Sequence, residues 1–179
     1  MKRKIILNLA LSLDGYICDE EGGFDWIKGQ GDSTLDTPKQ FNFETFTESL
    51  DVLVMGKRGY DDAPEGSLDV YADKTIYVVT SSQATPPHAN VQFIQGDVVN
   101  QITALTKKAG KDIWIYGGAQ VADLFIKADV IDEYIIGIVP CLLGRGRRLF
   151  LEHNPTLELT LKDYTVGDGV VILTYTKRG

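Results

Sequence analysis

The sequence predicts an α/β fold: a three-layer α-β-α arrangement with a mostly parallel central sheet and an antiparallel C-terminal hairpin. Three observations predict it. Short apolar runs alternate with stretches of helical periodicity along most of the chain, which is how strand–helix–strand units of a parallel sheet read. One such unit is explicit: the apolar run Ile113-Trp114-Ile115-Tyr116 stops at Gly117-Gly118, and Val121, Leu124 and Phe125 then share one helical face. Finally, Leu157 to Tyr164 and Val170 to Tyr175 flank Gly167-Asp168-Gly169, a hairpin signal.

Taken in order, Ile5 to Leu13 is dense in Ile and Leu, as expected of a central strand buried on both faces, and it stops at Asp14-Gly15. Tyr16-Ile17-Cys18 resumes an apolar course. From Asp19 to Thr37 the chain is rich in Gly and Asp around the island Trp26-Ile27, a loop long enough to be functional or mobile. Lys39 to Leu50 carries Phe43, Phe46 and Leu50 at helical spacing, with Thr37-Pro38 as its start. Asp51 to Met55 is a second strand ending at Gly56, and Lys57-Arg58-Gly59-Tyr60 opens a short helix broken by Pro64 and Gly66. Thr75 to Thr80 and Val91 to Ile94 are strands, and Val98 to Lys108 is a helix with Ile102 and Leu105 inward. Asp112 to Tyr116 and the helix ending near Lys127 follow. Asp132 to Val139 is a strand stopped by Pro140, and Leu143 to Phe150 is a basic, glycine-containing loop.

The chain has 179 residues, about one domain, so residues 1–179 are expected to form a single unit. A net charge of −7 disfavours a broad nucleic-acid face, which needs clustered cations, but allows a small anionic ligand at a locally basic site. Cys18 and Cys141 are the only cysteines and read as reduced thiols of a cytoplasmic protein; His88 and His153 stand apart from them, so no metal site is expected. No signal peptide and no apolar run of membrane-spanning length are visible.

In a parallel sheet, ligands gather at the carboxyl ends of the strands. Those ends are Asp14-Gly15, Gly56-Lys57-Arg58, Thr80-Ser81-Ser82 and Gly117-Gly118. At Gly117-Gly118 no side chain obstructs the approach of a phosphate or flat ring to the helix start, although Gly-Gly also serves as plain turn chemistry. Lys57 and Arg58 suit a phosphate grip or two solvated cations; cations at a helix start oppose the dipole and so ask for an anion. Thr80, Ser81 and Ser82 suit a turn cap or phosphate donors. Asp14 could stand as a carboxylate at the cleft mouth, and Asp25 beside Trp26 could handle protons if burial raised its pKa. Arg145, Arg147 and Arg148 fit a solvated loop or a substrate phosphate site.

Six segments in order resemble the dihydrofolate reductase fold, and more closely the RibD C-terminal family, the reductase domain of riboflavin biosynthesis. They are Ser12 to Ile17, Val54 to Arg58, Thr80 to Ser82, Tyr116 to Val121, Val130 to Tyr134, and Pro140 to Gly146. The resemblance implies a dihydrofolate reductase-like fold and NADPH lying across the strand ends. It places Gly56, Lys57 and Arg58 on the pyrophosphate and 2′-phosphate, Ser81 and Ser82 (with Thr80) on the adenosine side, and Gly117, Gly118, Ala119, Gln120 and Val121 under the pyrophosphate, with Gly117–Gly118 cis. Ala10 and Ile17 flank the nicotinamide. The implied activity is NADPH-dependent reduction of the 5-amino-6-(5-phosphoribosylamino)uracil type, with hydride passing to a C=N bond of an aminopyrimidine or pterin. Dihydrofolate reduction and a non-catalytic nucleotide-binding protein are the alternatives. Asp14, Asp25 and Trp26 are the expected catalytic residues, and a homodimer is expected. Two departures concern the substrate: Trp26-Ile27 leads into Lys28-Gly29-Gln30-Gly31-Asp32, not the basic run of riboflavin enzymes, and only Asp25, Asp32 and Asp36 could stand for the acid that grips a pteridine.

Overall fold

The structure, a computed structural model, describes residues 2–179. Ten strands and four α-helices follow in the order β1 (Ile5–Ser12), β2 (Tyr16–Cys18), α1 (Phe43–Glu48), β3 (Leu50–Gly56), α2 (Lys57–Asp61), β4 (Thr75–Val79), β5 (Val91–Ile94), α3 (Val98–Leu105), β6 (Asp112–Gly117), α4 (Ala119–Lys127), β7 (Glu133–Val139), β8 (Arg147–Arg148), β9 (Leu159–Gly167) and β10 (Val170–Lys177). Eight strands form one sheet in the order β5-β4-β3-β6-β1-β7-β10-β9, parallel from β5 to β7 and antiparallel from there. The expected α/β architecture with its antiparallel C-terminal hairpin is the observed one.

Period-two alternation divides the apolar strands between two cores. Ile5, Leu7 and Leu11 face the side covered by α3 and α4, where Phe125 is fully buried among Val54, Ile113 and Ile115. Ile6, Leu53, Met55 and Trp114 face the other side, under Phe46 of α1 and Tyr71. Trp114 anchors an aromatic cluster there, with Phe46 at 5.2 Å and Tyr116 at 4.8 Å between ring centroids.

Five features differ from the sequence expectation. Helix α1 starts at Phe43, not after Thr37-Pro38, because Asn42 provides the cap: its side chain accepts from Thr45 N–H, while Thr37 is engaged with Val166. Helix α3 stops at Leu105 because the next amides bond three residues back, tightening the chain into turns. Strand β1 is not buried on both faces throughout, since Asn8, Leu9 and Ala10 are half-buried in an opening at its middle. The basic loop after Pro140 contains β8, which pairs with β2. In the terminal hairpin Gly167 pairs with Val170, so the turn is the two-residue Asp168-Gly169, with φ of +48° and +77°.

The Asp19–Thr37 loop is fastened to this hairpin. Asp168 accepts the backbone N–H groups of Gly31 at 2.6 Å and Asp32 at 3.0 Å, and its own N–H donates to Asp36 at 2.7 Å. Thr37 and Val166 add a backbone bond of 2.9 Å.

Candidate functional site

Because β1, β3, β4, β6 and β7 run parallel, all the predicted turns emerge at one edge of the sheet. Gly117 and Gly118, joined by a cis peptide, form its centre. Gly117 has φ of +113°, a conformation that L-residues other than glycine rarely adopt. Leu9 lies against it, 3.5 Å from where a Cβ would stand, and Ile17 sits 3.7 Å from the equivalent point on Gly118. Across β3, a Cβ on Gly56 would meet Val121 at 3.3 Å, so the turns after β3 and β6 touch through Gly56. Ala10, on the half-buried stretch of β1, completes this group.

Helix α4 begins here with no side-chain cap on Gly118 and no acid in its first turn. The first N–H groups of a helix have no intrahelical acceptor, so those of Ala119, Gln120 and Val121 can meet a phosphate, with the positive end of the helix dipole behind them. Val121 contributes only backbone, because its side chain is buried in the core. Gln120 is exposed and Ala119 half-buried. The glycine surfaces and the uncapped helix start together fit a dinucleotide laid over this edge.

Four of the polar groups expected further out along the same edge are already engaged. Lys57 and Arg58 pair with Asp61 and Asp62 one helical turn on. Thr80 accepts the N–H of Ser82 at 3.0 Å and Ser82 that of Ala84 at 3.1 Å, so both hydroxyls cap the turn and keep their own hydrogens free to donate. Ser81 is exposed. These serines stand at the end of β4, three strand spacings from β1, about 14 Å. Only an extended ligand spans both.

Asp14, read from the sequence as a carboxylate at the cleft mouth, is engaged by three neighbours. Its carboxylate accepts from Ser12 Oγ at 2.6 Å, Gly144 N–H at 2.7 Å and Leu143 N–H at 3.1 Å. These bonds, the Ser12 hydroxyl foremost, pull its pKa down to about 2. It is an ionised anchor between β1 and the loop after β7.

Asp25 and Trp26 lie together on a cleft of about 490 Å³, lined also by Asp19, Lys28, Cys141 and Leu143. Trp26 is buried, with its indole N–H donating to Gly23 C=O at 3.2 Å, whereas Asp25 is exposed. Asp25 is exposed, so the burial on which its proton-handling reading depends is not observed. Cys18 and Cys141 are both free thiols. Two of the three arginines are engaged locally: Arg148 lies 4.7 Å over the Tyr16 ring and donates to Asp14 C=O at 3.2 Å, and Arg145 pairs with Glu20 at 3.2 Å.

Sequence reading missed Asn8. Its amide nitrogen is buried without a partner, on the sheet face of Trp114, whose indole donates to Asn8 C=O at 3.0 Å. The available signal was one polar residue inside the apolar run Ile5-Ile6-Leu7-Asn8-Leu9. Among the described residues no cluster of metal-ligating side chains occurs, and no helix is long and apolar enough to cross a membrane.

The sequence profile of the RibD C-terminal domain matches residues 3–173. The chain belongs to this family. It is 35% identical over 166 residues to the uncharacterized protein YwjB of Bacillus subtilis (strain 168), covering 90% of this chain and 91% of YwjB. A solved structure of a candidate riboflavin biosynthesis protein from Shewanella sp. PV-4 is 28% identical, with a TM-score of 0.77 and coverage of 98% of this chain and 99% of that one. Dihydrofolate reductase from Enterococcus faecalis, solved with NADP(H), shares the fold at 19% identity, with a TM-score of 0.65 and coverage of 100% and 99%. The fold of this RibD C-terminal domain is thus that of riboflavin-type reductases and of dihydrofolate reductase.

Proposed function

We propose that this protein is an NADPH-dependent reductase of the riboflavin-biosynthesis type, passing hydride to a C=N bond of an aminopyrimidine or pterin. The observation that carries the reading is the uncapped start of α4 behind Gly117-Gly118, with Leu9 and Ile17 flanking it on a RibD C-terminal fold. NADPH, when bound, supplies the hydride. Ala119, Gln120 and Val121 offer backbone N–H groups to its pyrophosphate; Lys57 and Arg58 face the 2′-phosphate, and Thr80, Ser81 and Ser82 the adenosine side. Gly56 lets the chain approach closely, while Ala10 and Ile17 border the nicotinamide. Asp25 and Trp26 bind the acceptor from the loop cleft. Residues 1–179 act as one reductase domain, as a cytoplasmic homodimer.

The cleft favours a second reading of the acceptor. Its charged lining is Asp19, Asp25 and Lys28, more acidic than basic, which suits an amino-substituted ring better than a phosphoribosyl group. A pterin, and with it dihydrofolate-type reduction, therefore stands beside the aminopyrimidine. The test is acceptor-dependent oxidation of NADPH, followed by absorbance, with a phosphoribosylated aminopyrimidine and an unphosphorylated dihydropterin in parallel. Turnover with either supports the reductase; tight NADPH binding without turnover on any acceptor of these classes would make the protein a nucleotide-binding module.

A further inference from the structure

Lys57 and Arg58, the two cations proposed for the cofactor's 2′-phosphate, are both already compensated. Lys57 Nζ donates to Asp61 Oδ1 at 2.5 Å and Oδ2 at 2.6 Å. Arg58 Nε lies 3.5 Å from Asp62 Oδ2. Both pairs are spaced i,i+4, so the segment Lys57-Arg58-Gly59-Tyr60-Asp61-Asp62 carries its own counter-charges on one short helix. Lys57 Nζ also lies 5.6 Å over the Phe93 ring. Phe93 lines the neighbouring cleft, with Thr80, Ser82, Gln83 and Gln95, and none of the residues lining that cleft is charged. A phosphate arriving at this end of the sheet meets no uncompensated positive charge among these groups.

We infer that Asp61 and Asp62 hold down discrimination for the 2′-phosphate, so that the protein prefers NADPH over NADH by no more than about tenfold. The inference rests on the cofactor reading above. A phosphomonoester carries about −1.5 to −2 charge at neutral pH and must displace or share each carboxylate to reach its cation. A ribose 2′-hydroxyl has no such conflict and can donate to the same carboxylates, the arrangement that acidic residues make in NAD sites. With side chains 51% and 67% exposed, Asp61 and Asp62 make weak, salt-screened pairs, so their hold on selectivity is graded and adjustable by mutation.

The test is fluorescence titration of the wild type and the D61N, D62N and double variants with NADPH and NADH, at low and moderate salt. The wild type binds both, with Kd values within about tenfold of each other. The double variant tightens NADPH about tenfold without tightening NADH, and the gain shrinks with salt. Both positions are exposed and bonded through their side chains only to Lys57 and Arg58, so the variants fold. An NADPH/NADH ratio that stays within about twofold of wild type in the double variant, or moves toward NADH, overturns the inference alone; the second result would mean that the acids orient the cations. Failure of the wild type to bind either nucleotide overturns the reductase reading and this inference with it.

Discussion

The carboxylate of Asp14 accepts the backbone N–H of Gly144 at 2.7 Å, joining the turn after β1 to the loop after β7. Ser12 Oγ fixes the same carboxylate from β1 itself, at 2.6 Å, and also accepts Tyr16 N–H at 2.9 Å. Strand β1, the turn after it and the loop after β7 are thereby held as one unit.

Acid should release this unit. The Asp14 pKa falls from the usual 3.8 to about 2, so its contribution to stability is complete above the ordinary carboxylate value and is lost as pH drops from there through about 2. Asp14→Asn should lower the melting temperature at neutral pH, and the gap to wild type should close as pH approaches 2. A gap that is constant across that window would show that the charge is not what Asp14 contributes.

Asp168 should act on the acceptor and not on the cofactor. Its carboxylate holds the Gly31 and Asp32 amides, next to the cleft residues Lys28, Gly29 and Gln30. Asp168→Gly keeps the positive φ of the turn while removing the acceptor. The expected result is an acceptor KM raised about fivefold, an NADPH Kd unchanged, and faster amide exchange over residues 25–32. A parallel loss of NADPH affinity would place the effect elsewhere.

At the centre of the edge, Gly117→Ala should cost about 1–3 kcal/mol of stability, because φ of +113° is closed to alanine. NADPH binding should fall with it. Space is not the cause, since Leu9 stands 3.5 Å from the added Cβ, an ordinary contact. Denaturant unfolding with the same variant at Gly59, where nothing lies within 4 Å and φ is not positive, gives the control.

Trp26→Phe should keep the cleft closed and lose only the indole bond to Gly23, about 1 kcal/mol. Trp26→Ala should remove the apolar wall, raise the acceptor KM at least tenfold and leave the NADPH Kd within about twofold. Steady-state kinetics with NADPH saturating separates the two.

The legible part of this protein was its backbone punctuation. Gly56, Gly117-Gly118, Pro140 and Asp168-Gly169 each end an element near where the apolar pattern stops, and with parallel strands they necessarily collect at one edge. Side-chain partnerships were not legible. Asp14 reads as a free carboxylate until the chain brings Gly144, 130 residues away, into bonding distance. Thr37 reads as a helix start, yet its hydroxyl serves Val166 across the molecule. Lys57 and Arg58 read as a phosphate grip or two solvated cations, although Asp61 and Asp62 stand at i,i+4 spacing as their partners. The opening at Asn8 was hidden because burial depends on what covers a strand, and no local pattern reports that Asn8, Leu9 and Ala10 are left half-buried.

The most direct measurement is a titration of the protein with NADPH, following energy transfer from tryptophan to the reduced nicotinamide. Saturable binding that weakens as salt rises and is lost in Gly117→Ala is the expected result. Absence of binding at low salt would contradict it, and the strand-end edge around Gly117-Gly118 would then have no cofactor to hold.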